Sequence, residues 1–396
     1  MAQSCSWENL IETSKTAGER IDDTAKLLQR AGHSAAVDGK YVYVVGGRRM
    51  YDCLGDTFRF NVESRTWECL AVAQPVAPRA YFSATVVNGH IWVVGGSSVD
   101  KVVADVSAWD IAAGTWRTVP VKGDAGLLCR CAHAAVAHPK KPGHIILFGG
   151  ISRDGSFLGD LVELRCSTSG ASVAAITPRG AVLPRAYHSM SSLGHRCFVF
   201  GGRDSQAGLC SSGDLAAVYD SAQNSWVRLG QEGEVPCARS SHRTAVVGGA
   251  IWLFGGAAMA SGRVQRLSDL YSCTHSNGTA VWRRHESGSG AAWPPDRAAH
   301  AMVSVAGRLL VVGGYSGDST YPGDAWMCRL VGDKPTPEKP PAQQRLTPPA
   351  KCSRTTSRES LSGSGRSSSA GARSSSTRRP PPRLRRGGGR RVSAEP

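Results

Sequence analysis

Residues 185–202 read RAYHSMSSLGHRCFVFGG, and this stretch contains the elements of a pattern that runs through most of the chain. His188 follows Arg185 by three residues, an apolar segment covers 197–200, and Gly201-Gly202 closes it. An apolar run with no polar alternation predicts a short β-strand that is covered on both faces. The glycine pair predicts a bend that a side chain would obstruct.

The doublet occurs six times, each time at the end of an apolar run. Its copies begin at intervals of 49, 54, 52, 54 and 58 residues, which is the period of about 50 residues that a propeller blade requires. The doublets are Gly46-Gly47, Gly95-Gly96, Gly149-Gly150, Gly201-Gly202, Gly255-Gly256 and Gly313-Gly314.

Other residues keep the same phase. A histidine follows the repeat arginine by three residues in five repeats, and Phe82 takes its place in the second. An aspartate opens the third strand of each repeat, and a tryptophan marks the fourth strand except in the third repeat, where Val173 stands instead. The repeat arginines are Arg30, Arg79, Arg130, Arg185, Arg239 and Arg297, and the tryptophans are Trp67, Trp116, Trp226 and Trp282.

The sixth repeat has no tryptophan of its own, but Trp7 lies in a segment, SWENL, that matches TWECL around Trp67. We therefore predict that an N-terminal strand, residues 6–12, completes the last blade. Such a strand closes the ring and leaves no open sheet edge at the seam. The segment 21–28 is predicted to form a short helix over one face.

These motifs resemble the kelch-repeat family, in the class that lacks N-terminal BTB and BACK domains, and the resemblance covers residues 6 to about 332. It implies an all-β fold, a six-bladed kelch-type β-propeller over residues 1–332. The predicted repeats are 30–78, 79–129, 130–184, 185–238, 239–296 and 297–332 together with the strand 6–12.

Residues 333–396 are predicted to be a disordered tail, because they are rich in Pro, Ser, Arg and Gly and poor in large aliphatic residues. They carry 15 Lys and Arg against 4 Asp and Glu, whereas the rest of the chain carries 32 against 27. Any contact with nucleic acid or an acidic membrane is therefore assigned to the tail. Ser393 follows two arginines and is predicted as a phosphorylation site; the alternative is a solvated tail without a specific role.

The family resemblance places the Arg-x-x-His stretch at the rim of the central pocket. Six guanidinium groups there would favour an acidic or C-terminal peptide through charge-assisted hydrogen bonds. The alternative, left open by the sequence, is that each arginine pairs within its own blade with the aspartate near the third strand.

We find no catalytic constellation, metal site or cofactor motif, since the histidines recur at equivalent positions and suit a structural role. The chain is predicted to be a monomeric protein-interaction scaffold and not an enzyme, with kelch-fold oxidases and epimerases as the less favoured alternative. Two specific versions remain open: a substrate receptor of a ubiquitin ligase, and a small-GTPase or trafficking effector. With no secretory signal, no membrane span and scattered cysteines, the predicted location is cytoplasmic and also nuclear.

Overall fold

The strands form six sheets, each built on an antiparallel core, and these sheets are the blades of a propeller. The computed structural model describes residues 4–13, 21–70, 75–204, 208–210, 216–276, 278–286 and 291–331. The predicted disordered tail and Ser393 lie outside these residues. A six-bladed propeller confirms the fold class.

The elements follow one another blade by blade, after β1 (Ser4–Asn9), α1 (Leu10–Thr13) and α2 (Ile21–Leu28). Blade 1 consists of β2 (Ser34–Asp38), β3 (Tyr41–Arg49), β4 (Asp52–Asn61) and β5 (Thr66–Cys69). Blade 2 consists of β6 (Ser83–Val87), β7 (His90–Val94), β8 (Val106–Asp110) and β9 (Thr115–Val119). Blade 3 consists of β10 (Val121–Lys122), β11 (Arg130–Cys131), β12 (Ala134–Ala137), β13 (His144–Ser152), β14 (Phe157–Ser167) and β15 (Gly170–Ile176), with a 3-10 helix at Ala125–Leu128.

Blade 4 consists of β16 (Ser189–Leu193), β17 (Arg196–Phe200), β18 (Ala216–Asp220) and β19 (Ser225–Arg228). Blade 5 consists of β20 (Gly230–Gly233), β21 (Arg243–Val247), β22 (Ala250–Ala260), β23 (Arg263–Ser276) and β24 (Thr279–His285). Blade 6 consists of β25 (Ala301–Val305), β26 (Arg308–Val312) and β27 (Ala325–Val331), with β1 as its outer strand. The helix predicted over 21–28 is present as α2.

Blades 3 and 5 have an additional outer strand that the repeat pattern did not predict. In blade 3, β10 pairs in parallel with β15, and in blade 5, β20 pairs in parallel with β24. Both strands come from the connection that enters the blade, so they cover the outer edge of its sheet.

Six apolar clusters hold the wheel together, and each one is shared by two neighbouring blades. Blade 1 packs on blade 6 through Val44, Phe60, Leu310 and Met327, so the cluster pattern continues across the seam. In each blade the four residues before the Gly-Gly doublet are buried, because both faces of this run contact a neighbouring sheet.

The N-terminal strand closes the ring as predicted, but it covers Ser4–Asn9 and not 6–12, because the chain turns into α1 at Leu10 and the side chain of Asn9 accepts from the N–H of Ile11 at 3.1 Å. β1 pairs antiparallel with β27 over six residues, from Ser4 opposite Val331 to Asn9 opposite Trp326. Trp7 is buried and contacts Phe254 and Trp293 of the preceding blade, with ring centroids 5.6 Å and 5.9 Å apart. The first strand therefore contributes both backbone pairing and core packing.

The Gly-Gly doublets lie where three backbone segments meet. The second glycine of each doublet has φ between +98° and +116°, a conformation that side chains rarely adopt. A Cβ atom there would lie 2.7 to 3.0 Å from the Cβ of the histidine or Phe82 in the same blade. Each of these glycines also donates its N–H to the carbonyl of the next blade's repeat arginine, at 2.8 to 2.9 Å.

A ring of backbone hydrogen bonds runs around the axis of the propeller. Each residue two positions after a repeat arginine donates its N–H to the carbonyl of its counterpart in the preceding blade, at 2.7 to 2.9 Å. All of them have φ between +53° and +63°, although only one is glycine. These axial-ring residues are Gly32, Tyr81, Ala132, Tyr187, Ser241 and Ala299.

Candidate functional site

The six repeat arginines are part of the framework of the blades. Five of them form two-pronged ion pairs with an aspartate of their own blade, with N···O distances of 2.5 to 2.9 Å. In all six, Nη1 also donates to the carbonyl of the first glycine of the doublet, at 2.7 to 3.0 Å. The pairs are Arg30–Asp56, Arg79–Asp105, Arg130–Asp160, Arg239–Asp269 and Arg297–Asp324. Asp214, the counterpart for Arg185, lies outside the described residues.

These side chains offer little surface to a ligand, because each repeat arginine is at most 2% exposed. A peptide carboxylate would have to displace an aspartate that already occupies the guanidinium fork. We therefore infer that the six arginines hold each blade to its glycine bend, which favours the alternative of pairing within the blade over a place at the rim of a binding pocket.

The repeat histidines are also internal. Each lies between its own second glycine and the first glycine of the preceding blade, and His33 and His300 are fully buried. Burial, aided by the charge of nearby arginines, lowers the pKa of His33 and His133 to about 3. Neutral imidazoles in these positions serve packing and hydrogen bonding. Within the described part of the chain, no group of His, Cys, Asp and Glu is arranged to hold a metal ion.

Side chains that differ between repeats meet at the axis, at one end of the wheel. This end, which we call the loop face, carries the connections between the second and third strands and those between blades. Tyr81 and Tyr187 come from the axial ring and contact each other edge to face, with centroids 5.6 Å apart. Burial raises the pKa of both phenols, and the guanidinium of Arg48 opposes the rise at Tyr81.

Arginines and further tyrosines surround this pair. Arg48, Arg203 and Tyr315 each follow a Gly-Gly doublet directly. Each forms an antiparallel β-bridge with the residue that follows the repeat arginine of its own blade. Arg266 lies over the ring of Tyr315 at 5.1 Å, and Tyr315 contacts Tyr321 at 5.3 Å. The central Tyr–Arg cluster consists of Arg48, Tyr81, Tyr187, Arg203, Arg266, Tyr315 and Tyr321.

Exposed apolar side chains lie around this cluster on the same face. Eight large apolar residues are exposed in the described part of the chain. Seven lie at the loop-face end of the blades, in connections, in α2 or at the hairpin ends of β22 and β23, and Val281 lies in the outer strand β24. The seven are Leu27, Met50, Tyr51, Val99, Leu183, Met259 and Val264. Exposed apolar surface on one side of a fold is typical of interaction surfaces.

The central cluster was missed because the sequence reading followed what the repeats share. The signal lies in what they do not share. Positions two residues after the repeat arginine hold Gly, Tyr, Ala, Tyr, Ser and Ala in turn, although both flanking positions are nearly constant. A variable position framed by invariant ones on a rigid scaffold predicts specificity.

The predicted tryptophans take the positions expected of them. Trp7, Trp67, Trp116 and Trp282 are buried in outer strands, and Trp226 is half-buried against Phe148, with ring centroids 4.9 Å apart. In blade 3, Val173 is buried in the corresponding strand. The cysteines among the described residues are free thiols. No helix in these residues has the length and apolar character to span a bilayer.

Comparisons with known proteins agree with this geometry. The KLHDC2/KLHL20/DRC7 Kelch-repeats domain matches residues 6–140, 125–314 and 210–361. The solved structure of YjhT has a TM-score of 0.59 at 16% identity, covering 75% of this chain and 93% of that one, and so shares the fold.

Two curated relatives are much longer than the stretch they share with this chain. Tip elongation aberrant protein 1 of Schizosaccharomyces pombe is 26% identical over 210 residues, which are 52% of this chain and 18% of that protein. The flagellar outer arm dynein alpha chain of Chlamydomonas reinhardtii is 34% identical over 104 residues, 26% of this chain and 2% of that protein. With the family matched along nearly all of the propeller and six blades built on its repeat, the chain belongs to the kelch-repeat family.

Proposed function

We propose that this protein is an interaction scaffold whose loop face binds a protein partner, with the central Tyr–Arg cluster as the anchor. The observation that carries the proposal is that seven of the eight exposed large apolar side chains in the described part of the chain lie at the loop-face end of the blades. Tyrosine and arginine are enriched at the energetic centres of interfaces.

The charge of the cluster favours a partner segment that carries a carboxylate, either an acidic side chain or a chain terminus. The Nε of Arg48 donates to the carbonyl of Met50 at 3.2 Å, and Arg266 stacks on Tyr315 with its Nε lacking a partner among the described residues. Guanidinium groups of this kind retain donors for a two-pronged contact with a carboxylate.

Affinity purification with quantitative mass spectrometry tests the proposal. The test variant is Arg48→Ala with Arg266→Ala, and the matched control is Lys40→Ala with Lys141→Ala, which removes the same charge on the opposite face. Partners enriched on the wild type should be lost from the first variant and retained by the second. Equal capture by both variants would place the interaction elsewhere.

The captured proteins also separate the two specific versions. Cullin-ligase subunits would support a substrate receptor, and a small GTPase captured in one nucleotide state would support a trafficking effector. Synthetic peptides with free and amidated C-termini then decide between a terminal carboxylate and an acidic side chain.

The location and the tail belong to the proposal as well. We propose a monomer that is cytoplasmic and also nuclear, with the basic residues 333–396 responsible for nuclear entry or for contact with nucleic acid or acidic membrane. Deleting 333–396 should abolish nuclear entry and any contact with nucleic acid or acidic membrane. Partner capture by the propeller should stay unchanged.

A further inference from the structure

A cavity of about 130 Å³ lies inside the central channel, among the innermost strands of the blades. Its lining is mainly hydroxyl and small apolar groups, including Ser34, Ser83 and Ser189. Arg243 is the one arginine or lysine among the described residues that line it, and no aspartate or glutamate is among them.

Arg243 departs from the repeat. It lies four residues after the repeat arginine, where the other blades have serine or alanine: Ser34, Ser83, Ala134, Ser189 and Ala301. Its Nη1 donates to the carbonyl of His242 at 3.2 Å. Unlike five of the repeat arginines, it forms no ion pair with a carboxylate among the described residues, which leaves most of its donors available inside the channel.

The positive charge of Arg243 affects the pKa of the surrounding histidines. It contributes to lowering the pKa of His33, His188, His242 and His300, in addition to the effect of burial. The guanidinium therefore lies near the axis, among imidazoles from several blades. Burial also lowers the pKa of Arg243 itself, which is the direction expected for a cation with no compensating anion.

Donors for an anion exist beside the guanidinium. His188 lines the cavity and is 2% exposed, and neither of its ring nitrogens has a partner among the described residues. A neutral imidazole always carries one N–H. The hydroxyls of Ser83 and Ser189 are hydrogen-bonded to Nε2 of His133 and His242 at 2.9 Å, and each hydroxyl can donate to an anion when the imidazole N–H is the donor in that bond.

We infer that the central channel is a binding site for a small monovalent anion, held by the guanidinium of Arg243 with channel hydroxyl and imidazole donors. One guanidinium calls for one negative charge. The cavity offers roughly four water volumes at about 30 Å³ each, which suits chloride, bromide or formate better than a large organic anion. This inference is independent of the proposed function, because the occupant is a free ion and not a partner protein.

Thermal unfolding of the full chain tests the site in sodium chloride, bromide and formate, each compared with sodium gluconate at equal ionic strength. A ligand that binds the native state raises the midpoint with the logarithm of its concentration above its Kd. The wild type should show this rise with the three small anions and not with gluconate.

The test variant is Arg243→Ser, which places in blade 5 the residue that blades 1, 2 and 4 have at this position. The control is Arg263→Ser on an exposed hairpin of the same blade. Arg243→Ser should lose the anion response, and Arg263→Ser should keep it. A response that persists in Arg243→Ser would overturn the inference.

Bromide-soaked crystals of the wild type give a measurement that does not depend on any variant. We expect an anomalous peak beside Arg243 inside the channel. Crystals that diffract well and show no such peak at saturating bromide would also overturn the inference. A larger thermal response to formate than to chloride would identify a carboxylate as the preferred ligand within the same site.

Discussion

Trp7 lies directly opposite Cys328, in the register that joins the first strand of the chain to the last blade. Its indole is 6% exposed and fills a cluster with Trp252, Phe254 and Trp326. The seam of the ring is therefore closed by a packed side chain as well as by a hydrogen-bonded ladder.

Replacing this indole should open the ring. We expect Trp7→Ala to lower the free energy of unfolding by about 3 to 5 kcal/mol, the usual cost of truncating a buried tryptophan. Urea unfolding measures the loss. The control is Glu8→Ala in the same strand, which removes a half-exposed pair with Arg65 worth less than about 1 kcal/mol. Equal losses for the two variants would show that Trp7 does not seal the seam.

The repeat arginines should contribute strongly to the stability of the blades. Arg239→Ala leaves the Asp269 carboxylate and the Gly255 carbonyl without their donor, in a site where the arginine is fully buried. Breaking such a pair costs about 3 to 5 kcal/mol. Arg263→Ala, on the exposed hairpin of the same blade, should change stability by no more than about 0.5 kcal/mol.

Chemical denaturation measures the free energy of unfolding of both variants. A partner-capture assay on Arg239→Ala then shows whether the arginine also takes part in binding. If Arg239→Ala proves as stable as the wild type and yet loses its partner, the repeat arginines belong to the binding surface after all.

Two glycines allow the steric cost of a side chain at the glycine bend to be separated from the backbone cost of a positive φ. Gly150 and Gly155 lie in the same blade, with φ of +105° and +88°. A Cβ at Gly150 would be 2.7 Å from the carbonyl oxygen of Cys131, whereas a Cβ at Gly155 would meet nothing within 4 Å. We expect Gly155→Ala to cost about 1 to 2 kcal/mol for its backbone alone. Gly150→Ala should cost clearly more by thermal or urea unfolding, and similar values would refute the steric account.

The framework was predictable because its residues recur in phase, and the candidate site was not because its residues do not. Arg30 and Gly47 recur in six repeats and His33 in five, so several copies of the signal support each position. Tyr81 and Tyr187 meet only because the ring closes and brings residues 106 positions apart to one axis. Arg243 likewise looks like an ordinary strand residue until the inner strands surround it.

The buried histidines should make stability depend on pH. His33 has a pKa of about 3 in the folded protein against an ordinary value of 6.5. Between these values the unfolded chain binds a proton that the folded chain does not, so stability falls as the pH is lowered through 6.5 and continues to fall towards 3. From pH 7 to pH 5, one such residue costs about 2 kcal/mol.

Phe82 occupies the position of the repeat histidine in blade 2, so the fold accepts phenylalanine at this position. His33→Phe removes one titrating group, so its loss of stability between pH 7 and pH 5 should be about 2 kcal/mol smaller than that of the wild type. Phe82→His is the reciprocal variant, and it should enlarge the loss because the imidazole would be buried in the same setting. Urea titrations at the two pH values measure both differences. Because the two variants are expected to move the pH dependence in opposite directions, a change in the same direction for both would show that His33 and its counterparts do not control the acid sensitivity of the propeller.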